Sequence, residues 1–307
     1  MSQILVTGVS GLLGLNFALT VHGKTHRVTG VANTTPLQGV DFECLQAELT
    51  ETGRVEALID AIKPDVILHC AAMANLDACE ASPALAAAVN SMLPGQIADA
   101  ARRHGIQMVH ISTDAVFDGA KGDYREEDLP NPLSVYARTK WEGEKAVASA
   151  NPQALIARVN FFGWSASGQR SLAEFFFYHL SAGKTVQGFT DVIFCPLEVT
   201  LLAETLLEMI NKGFSGTYHV VSSECLSKYD FGCRLAERFG LNRELIQPAS
   251  VLESGLAAAR SPNLRLRTDK LVAALGHSLP GQASGLERFY TAYQAGYPQR
   301  LRSLAGM

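Results

Sequence analysis

The chain has 307 residues, 47% of them hydrophobic and 18% charged, with a formal net charge of −4. That length favours one large α/β unit with an appended lobe over a single simple core. Lys and Arg do not cluster into the basic face that nucleic-acid binding needs, and no apolar run reaches the roughly 18 residues of a membrane-spanning helix.

In chain order, "QILVTG" predicts an apolar strand and "GLLGLNFALTVHG" a helix closed by Gly23. "HRVTGVAN" predicts a second strand. "TETGRVEALIDAIKP" predicts a helix capped by Thr50 or Thr52 and ended before Pro64. "DVILHCAA" reads as a buried strand. "SPALAAAVNSMLPGQIADAARRHG" reads as one long helix with Ser82 as cap, Pro83 in its first position and Gly105 at its end. "IQMVHIST" is the next strand, "SVYARTKWEGEKAVAS" a helix and "ALIARVNFFG" a strand. Strands alternating with helices over short connections predict a parallel sheet covered on both faces. After that the rhythm breaks. "SLAEFFFYHLSAG" and "PLEVTLLAETLLEMINKG" predict helices and "GTYHVVSS" a strand, within an irregular C-terminal third. "FFFYHL" reads as core or a dimer face, and "YREED", Tyr124 to Asp128, as a solvated loop.

The six cysteines, Cys44, Cys70, Cys79, Cys195, Cys225 and Cys233, form no CxxC pair and no metal-ligand spacing with histidine. They are expected to be reduced thiols of a cytoplasmic protein. No basic segment precedes an apolar stretch at the N-terminus, so no signal peptide is expected.

Two stretches carry chemistry. "TGVSGLLG" sets Gly8, Gly11 and Gly14 between the first strand and the first helix, the context of a dinucleotide fingerprint. Gly8 makes the turn, Gly11 lets backbone approach a pyrophosphate, and Gly14 lets the helix pack on the strand. The helix N-terminus offers N–H groups and partial positive charge. At the end of the second strand, Asn33, Thr34 and Thr35 are neutral. Within that stretch no carboxylate opposes a 2′-phosphate and no Arg clamps one, which tilts the choice toward NADP(H) and leaves NAD(H) open. "YARTK" places Tyr136 and Lys140 four apart, on one helix face. A tyrosine titrates at about 10, and a neighbouring ammonium lowers that value. Such a pair passes a proton while hydride moves to or from a nicotinamide. "STD" supplies Ser112, Thr113 and Asp114 at the end of the fifth strand, where ligands of doubly wound sheets bind.

With "ILVTGVSGLLG", "DVILHCAA", "STDAVFDG", "YARTK", "GTYHVVSS" and "SPNLRLRTDKL" in order, the chain resembles the extended short-chain dehydrogenases/reductases, and within them the dTDP-4-dehydrorhamnose reductase family. The resemblance implies a doubly wound parallel (Rossmann) sheet with a smaller mixed α/β C-terminal substrate lobe. Residues 1–160 and about 197–222 would bind the dinucleotide, and about 161–196 and 223–307 the substrate. It implies that Thr113 holds a sugar carbonyl, Tyr136 donates the proton, and Lys140 bonds the nicotinamide ribose. Gly8, Gly11 and Gly14 would line the pyrophosphate, Glu48 and Leu49 would meet the adenine, and Ser10, Leu12, Leu13, Asn33 and Thr34 would also contact the cofactor. Cys70, Ala71 and Ala72 would pass beneath the cofactor. Asp114, Val116, Phe117, Arg158 and Asn160 would lie by the substrate, and Asn90 would be structural or a relay. Some relatives form a magnesium-linked dimer through glutamates. Asn16 and Thr200 stand at those places here, so no metal is expected.

The implied activity is reduction of the 4-keto group of a nucleotide-linked deoxysugar. Helices near 83–105 and 134–150 would form the seam of a homodimer. Two alternatives stand beside it. One is an epimerase using tightly held NAD; Ala115, where dehydratases carry an acid, argues against dehydration. The other is a cofactor-binding regulatory subunit like that of methionine adenosyltransferase.

Overall fold

The computed structural model describes residues 1–24, 26–34, 37–253 and 260–306. Its first half runs β1 (Ser2–Thr7), α1 (Leu12–Val21), β2 (His26–Ala32), β3 (Glu43–Gln46), α2 (Arg54–Ile62), β4 (Val66–His69), α3 (Leu76–Ala81), α4 (Pro83–Ala87), α5 (Leu93–Arg103), β5 (Gln107–Thr113), α6 (Val135–Ala150) and β6 (Leu155–Val159). The second half runs β7 (Phe161–Phe162), α7 (Leu172–Ser181), β8 (Val186–Phe189), β9 (Ile193–Phe194), β10 (Leu197–Glu198), α8 (Val199–Asn211), β11 (Gly216–Val220), β12 (Leu226–Ser227), α9 (Lys228–Phe239), β13 (Ile246–Ala249), α10 (Asp269–Leu275), α11 (Gln282–Gln294) and α12 (Tyr297–Leu304).

Seven strands form one sheet in the order β11-β6-β5-β4-β1-β2-β3, every pair parallel. Alternating side chains leave the sheet on opposite faces. Ile4, Val6, Leu68 and Val109 pack with Leu15 of α1 and Leu202 of α8. Leu5, Ile67, Met108 and Ile156 pack with Ile59 of α2 and Ile97 of α5. Burial on both faces is why β4 is apolar over Val66, Ile67 and Leu68, with His69 the buried polar exception. Three further two-stranded pairs, β10-β7, β12-β9 and β13-β8, lie outside this sheet. "FFFYHL" buries Phe176 and Phe177 and exposes Phe175.

Local details depart from expectation. Gly53, in the left-handed region, precedes α2, and no threonine caps it. The segment expected as one helix from Ser82 contains a π-turn over Ala88–Met92, and Ser82 makes no capping bond. Inside that turn Asn90 accepts from Met73 N at 2.9 Å and donates to Met73 O and to Thr139 Oγ1. A Cβ on Gly143 of α6 would lie 2.1 Å from the Asn90 carbonyl oxygen, so α6 meets this turn backbone to backbone. "YREED" is not merely solvated. Tyr124 is buried against Phe117, and Glu126 accepts from His219 N.

The cysteine expectation fails for one pair. Cys195 and Cys225, separated by 30 residues, form a disulfide. Cys195 follows β9 and Cys225 precedes β12, and those strands pair, which brings the thiols together. The other four cysteines are free. No described helix is long and apolar enough to cross a membrane.

Beneath the end of β5, the Glu144 carboxylate of α6 accepts from Ser112 Oγ at 2.6 Å and from Arg158 of β6 at 2.8 Å. Both charged side chains are buried. Removing one partner strands the other charge away from water. Arg158→Met should therefore lower the unfolding free energy by about 3–5 kcal/mol in a urea titration, and adding Glu144→Leu should recover most of it.

Candidate active site

The site lies along the carboxyl ends of β1, β4 and β5. Gly8 has φ +66°, and a Cβ there would sit 2.7 Å from the Ala71 backbone. A Cβ on Gly14 would sit 2.5 Å from Gly8 O. These two glycines close the turn against the sheet and α1. Gly11 differs: its Cβ would meet only Gly8 O, at 3.0 Å. No side chain caps α1 and no acidic residue stands in its first turn, which suits a phosphate. Ser10 is half-buried in the turn, while Leu12 and Leu13 are buried beneath it.

Asn33 and Thr34 are exposed after β2; Thr35 lies outside the described residues. The stretch itself holds no carboxylate, but folding supplies one. β3 pairs with β2, and Asn33 Nδ2 donates to Glu48 Oε2 at 2.8 Å. Bonds from Thr50 foremost hold the Glu48 carboxyl below its usual range. A carboxylate there weakens the tilt toward a 2′-phosphate. Leu49 is buried, Cys70 and Ala71 are half-buried, and Ala72 is exposed at the end of β4.

Thr113, Asp114, Tyr136 and Asn160 line a cavity of about 230 Å³. Ser134 caps α6 by accepting from Ala137 N, which sets the helix carrying Tyr136 and Lys140. The Thr113 hydroxyl lies beside Tyr136 in this lining and 3.2 Å from Asp114 Oδ1. Asn160 donates to Asp114 Oδ2 at 2.6 Å. Burial pushes Asp114 up to about 6, against the bonds from Asn160 and Thr113. Lys140, buried, donates to Ile111 O at 2.6 Å. Burial brings it down to about 8, opposed by Glu144 and Cys70.

The expected effect of Lys140 on Tyr136 is not what this structure has. Burial pushes the phenol up to about 12, the Thr113 bond opposing and Asp114 and Cys79 adding. The ammonium is turned toward Ile111 and so does not offset that burial.

Three expected substrate neighbours are elsewhere. Val116 and Phe117 are wholly buried, Phe117 stacked on Tyr124, because the chain turns inward after Asp114. Arg158 is held by Glu144 beneath the sheet end. Asn90 joins the π-turn to Met73 and Thr139. Asn16 is a satisfied core residue, bonded to Trp164 O and Tyr297, and Thr200 donates to Glu198. Among the described residues, no cluster of His, Cys, Asp and Glu could hold a metal. The cavity's other wall was not legible in the motifs. It includes Lys228 at the start of α9, Arg260, Phe194 and Leu264. Lys228 is drawn below its usual value by burial, then by Arg260.

A glycine turn on a seven-stranded parallel sheet, with Thr113 at the end of β5 and Tyr136 and Lys140 on α6 beside it, defines an extended short-chain dehydrogenase/reductase. The model of the RmlD substrate binding domain matches residues 1–295, and the chain belongs to that family. It is 35% identical, over 94% of this chain and 97% of the relative, to the probable low-salt glycan biosynthesis reductase Agl14 of Haloferax volcanii. It is 31% identical to methionine adenosyltransferase 2 subunit beta of Bos taurus, over 88% and 81%. A dTDP-4-dehydrorhamnose reductase ortholog from Clostridium acetobutylicum superposes with TM-score 0.84 at 26% identity, over 95% of this chain and 99% of that one. The Bacillus anthracis reductase solved with NADP shares the fold, with TM-score 0.85 at 24% identity over 94% and 99%.

The glycines separate fold from ligand. Gly11→Ala should cost little stability yet weaken dinucleotide binding at least tenfold, whereas Gly14→Ala should mainly destabilise. Calorimetric melting and a cofactor titration distinguish the two outcomes.

Proposed function

We propose that this chain is an NAD(P)H-dependent reductase of a nucleotide-linked 4-keto-deoxysugar, of the dTDP-4-dehydrorhamnose reductase kind. One observation carries the reading. Thr113 and Tyr136 line one cavity together with two cationic side chains, Lys228 and Arg260. A keto group against the hydroxyls and a diphosphate against the cations match that arrangement.

The residues fit a nicotinamide dinucleotide, since Gly11 leaves room above an uncapped helix start. When bound, the cofactor supplies hydride to the carbonyl carbon. The protein's part is acid chemistry and orientation. Thr113 Oγ1 and the Tyr136 hydroxyl hold the carbonyl oxygen, and the Tyr136 O–H proton passes to it as negative charge develops there. Carbon gains a hydride and oxygen a proton, leaving an alcohol. The Lys140 ammonium, turned toward Ile111 O, is left to bond the cofactor's ribose. Asn160 and Thr113 hold Asp114 in the wall, where its carboxyl loses its proton only near neutral pH. Residues 1–160 and about 197–222 hold the cofactor in this reading, and the remainder holds the sugar. Neutral Asn33 and Thr34 accept NADPH, and Glu48 leaves NADH usable. The NADP bound to the Bacillus anthracis relative supports the choice of cofactor.

Tyr136→Phe should lower kcat by about 10²–10⁴-fold without lowering the melting temperature. Lys228→Met should raise KM for dTDP-4-dehydrorhamnose about tenfold and leave NADPH affinity unchanged. The reading fails if wild-type protein oxidises neither NADPH nor NADH with any dTDP- or GDP-linked keto sugar. Co-purification with a methionine adenosyltransferase would then favour the regulatory-subunit alternative.

A further inference from the structure

Two histidines that this mechanism does not use lie beneath the site. His69 ends β4 and His110 sits beside it in β5, paired in register. Both are wholly buried, and their rings stack with centroids 5.5 Å apart. Each has one ring nitrogen, His69 Nε2 and His110 Nδ1, with no protein hydrogen-bond partner. Leaving such groups unpaired away from water is unfavourable, and an aliphatic residue would fill either place without that penalty.

Their outer nitrogens are engaged. His110 Nε2 lies 3.4 Å from Lys140 Nζ. An ammonium only donates, so Nε2 is the acceptor and Nδ1 carries the hydrogen. His69 Nδ1 lies 2.7 Å from Thr7 Oγ1, which itself accepts from Ala71 N. The Thr7–His69 hydrogen bond holds that ring against His110. An ammonium has three N–H bonds. Ile111 O takes one and His110 Nε2 a second, leaving one for the cofactor.

We propose that His110, steadied by His69 and Thr7, is a positioning residue that fixes the Lys140 ammonium so that a single N–H remains for the nicotinamide dinucleotide. This rests on the dinucleotide reading of the site. The groups facing Lys140 are Glu144 on its own helix, Cys70 and His69 at the end of β4, and His110 and the Ile111 carbonyl on β5. Burial first, then the charge on Lys140, keeps both imidazoles neutral. His110 thus stabilises the ammonium as an acceptor and never competes as a second cation.

The test is NADPH titration, followed by nicotinamide fluorescence, from pH 6 to 10 on the full chain and on His110→Phe and His110→Gln. Phenylalanine keeps the stacked ring but accepts nothing; glutamine restores an acceptor. Wild-type affinity should fall as pH rises through the Lys140 value of about 8. His110→Phe should bind about tenfold more weakly at pH 7, and its midpoint should move to lower pH because the ammonium has lost an acceptor. Glutamine should return both toward wild type. His110→Leu replaces the phenylalanine variant should that one not fold. Wild-type affinity and midpoint in the Phe or Leu variant overturn the proposal, as does equal impairment in Gln and Phe with lowered melting temperatures. Wild-type protein that binds neither NADPH nor NADH refutes the dinucleotide reading itself, a separate result.

Discussion

A carboxylate buried among three elements holds the site together. Glu144 reaches from α6 to Ser112 of β5 and Arg158 of β6, so the helix with Tyr136 and Lys140 is pinned to the strand that ends in Thr113. Away from water this pairing is demanding, because losing either charge leaves the other unpaired. It also fixes the angle at which α6 crosses the sheet. Gly143, one residue earlier, lets the same helix touch the Asn90 carbonyl. Tyr136 meets Thr113 because these deeper contacts permit one position for α6.

The layer above is built by backbone proximity instead of charge. Gly8 and Gly14 bring β1, α1 and the end of β4 within distances that no side chain permits. Gly11 stands outside that packing. The turn thus separates two requirements that look alike in a string of glycines: two positions serve the fold, and the third leaves space for a ligand. Between the turn and α6 runs the polar row Thr7, His69, His110 and Lys140, across β1, β4 and β5. It links the cofactor end of the sheet to the proton-handling end beneath the surface.

The rest of the cavity lining comes from a different source. The disulfide joins the ends of β9 and β12, next to Phe194 and Lys228, both in the cavity lining. Lys228 and Arg260 are far apart in the chain and carry no motif. Only the tertiary fold brings them to the cavity that Asp114 also lines.

The elements, and the gathering of Thr113, Tyr136 and Lys140 near the end of β5, were legible in sequence because their signals are local. Apolar runs buried on both faces, a cap at Ser134, a four-residue spacing between Tyr136 and Lys140, and glycines after a strand each reflect constraints within a dozen residues. What depends on long-range packing was not legible. Glu48 beside Asn33 follows from the pairing of β3 with β2, and the Cys195–Cys225 bond from that of β9 with β12. Phe117 went to the core and Arg158 to Glu144, although both lie within a few residues of site positions. The sequence by itself determined the α/β alternation, the glycine turn after β1 and the shared helix of Tyr136 and Lys140, since periodicity and spacing encode them. The tertiary structure alone decided which charges face the cavity and which neutralise one another beneath it, because burial and partner choice depend on residues that meet only when the sheet closes.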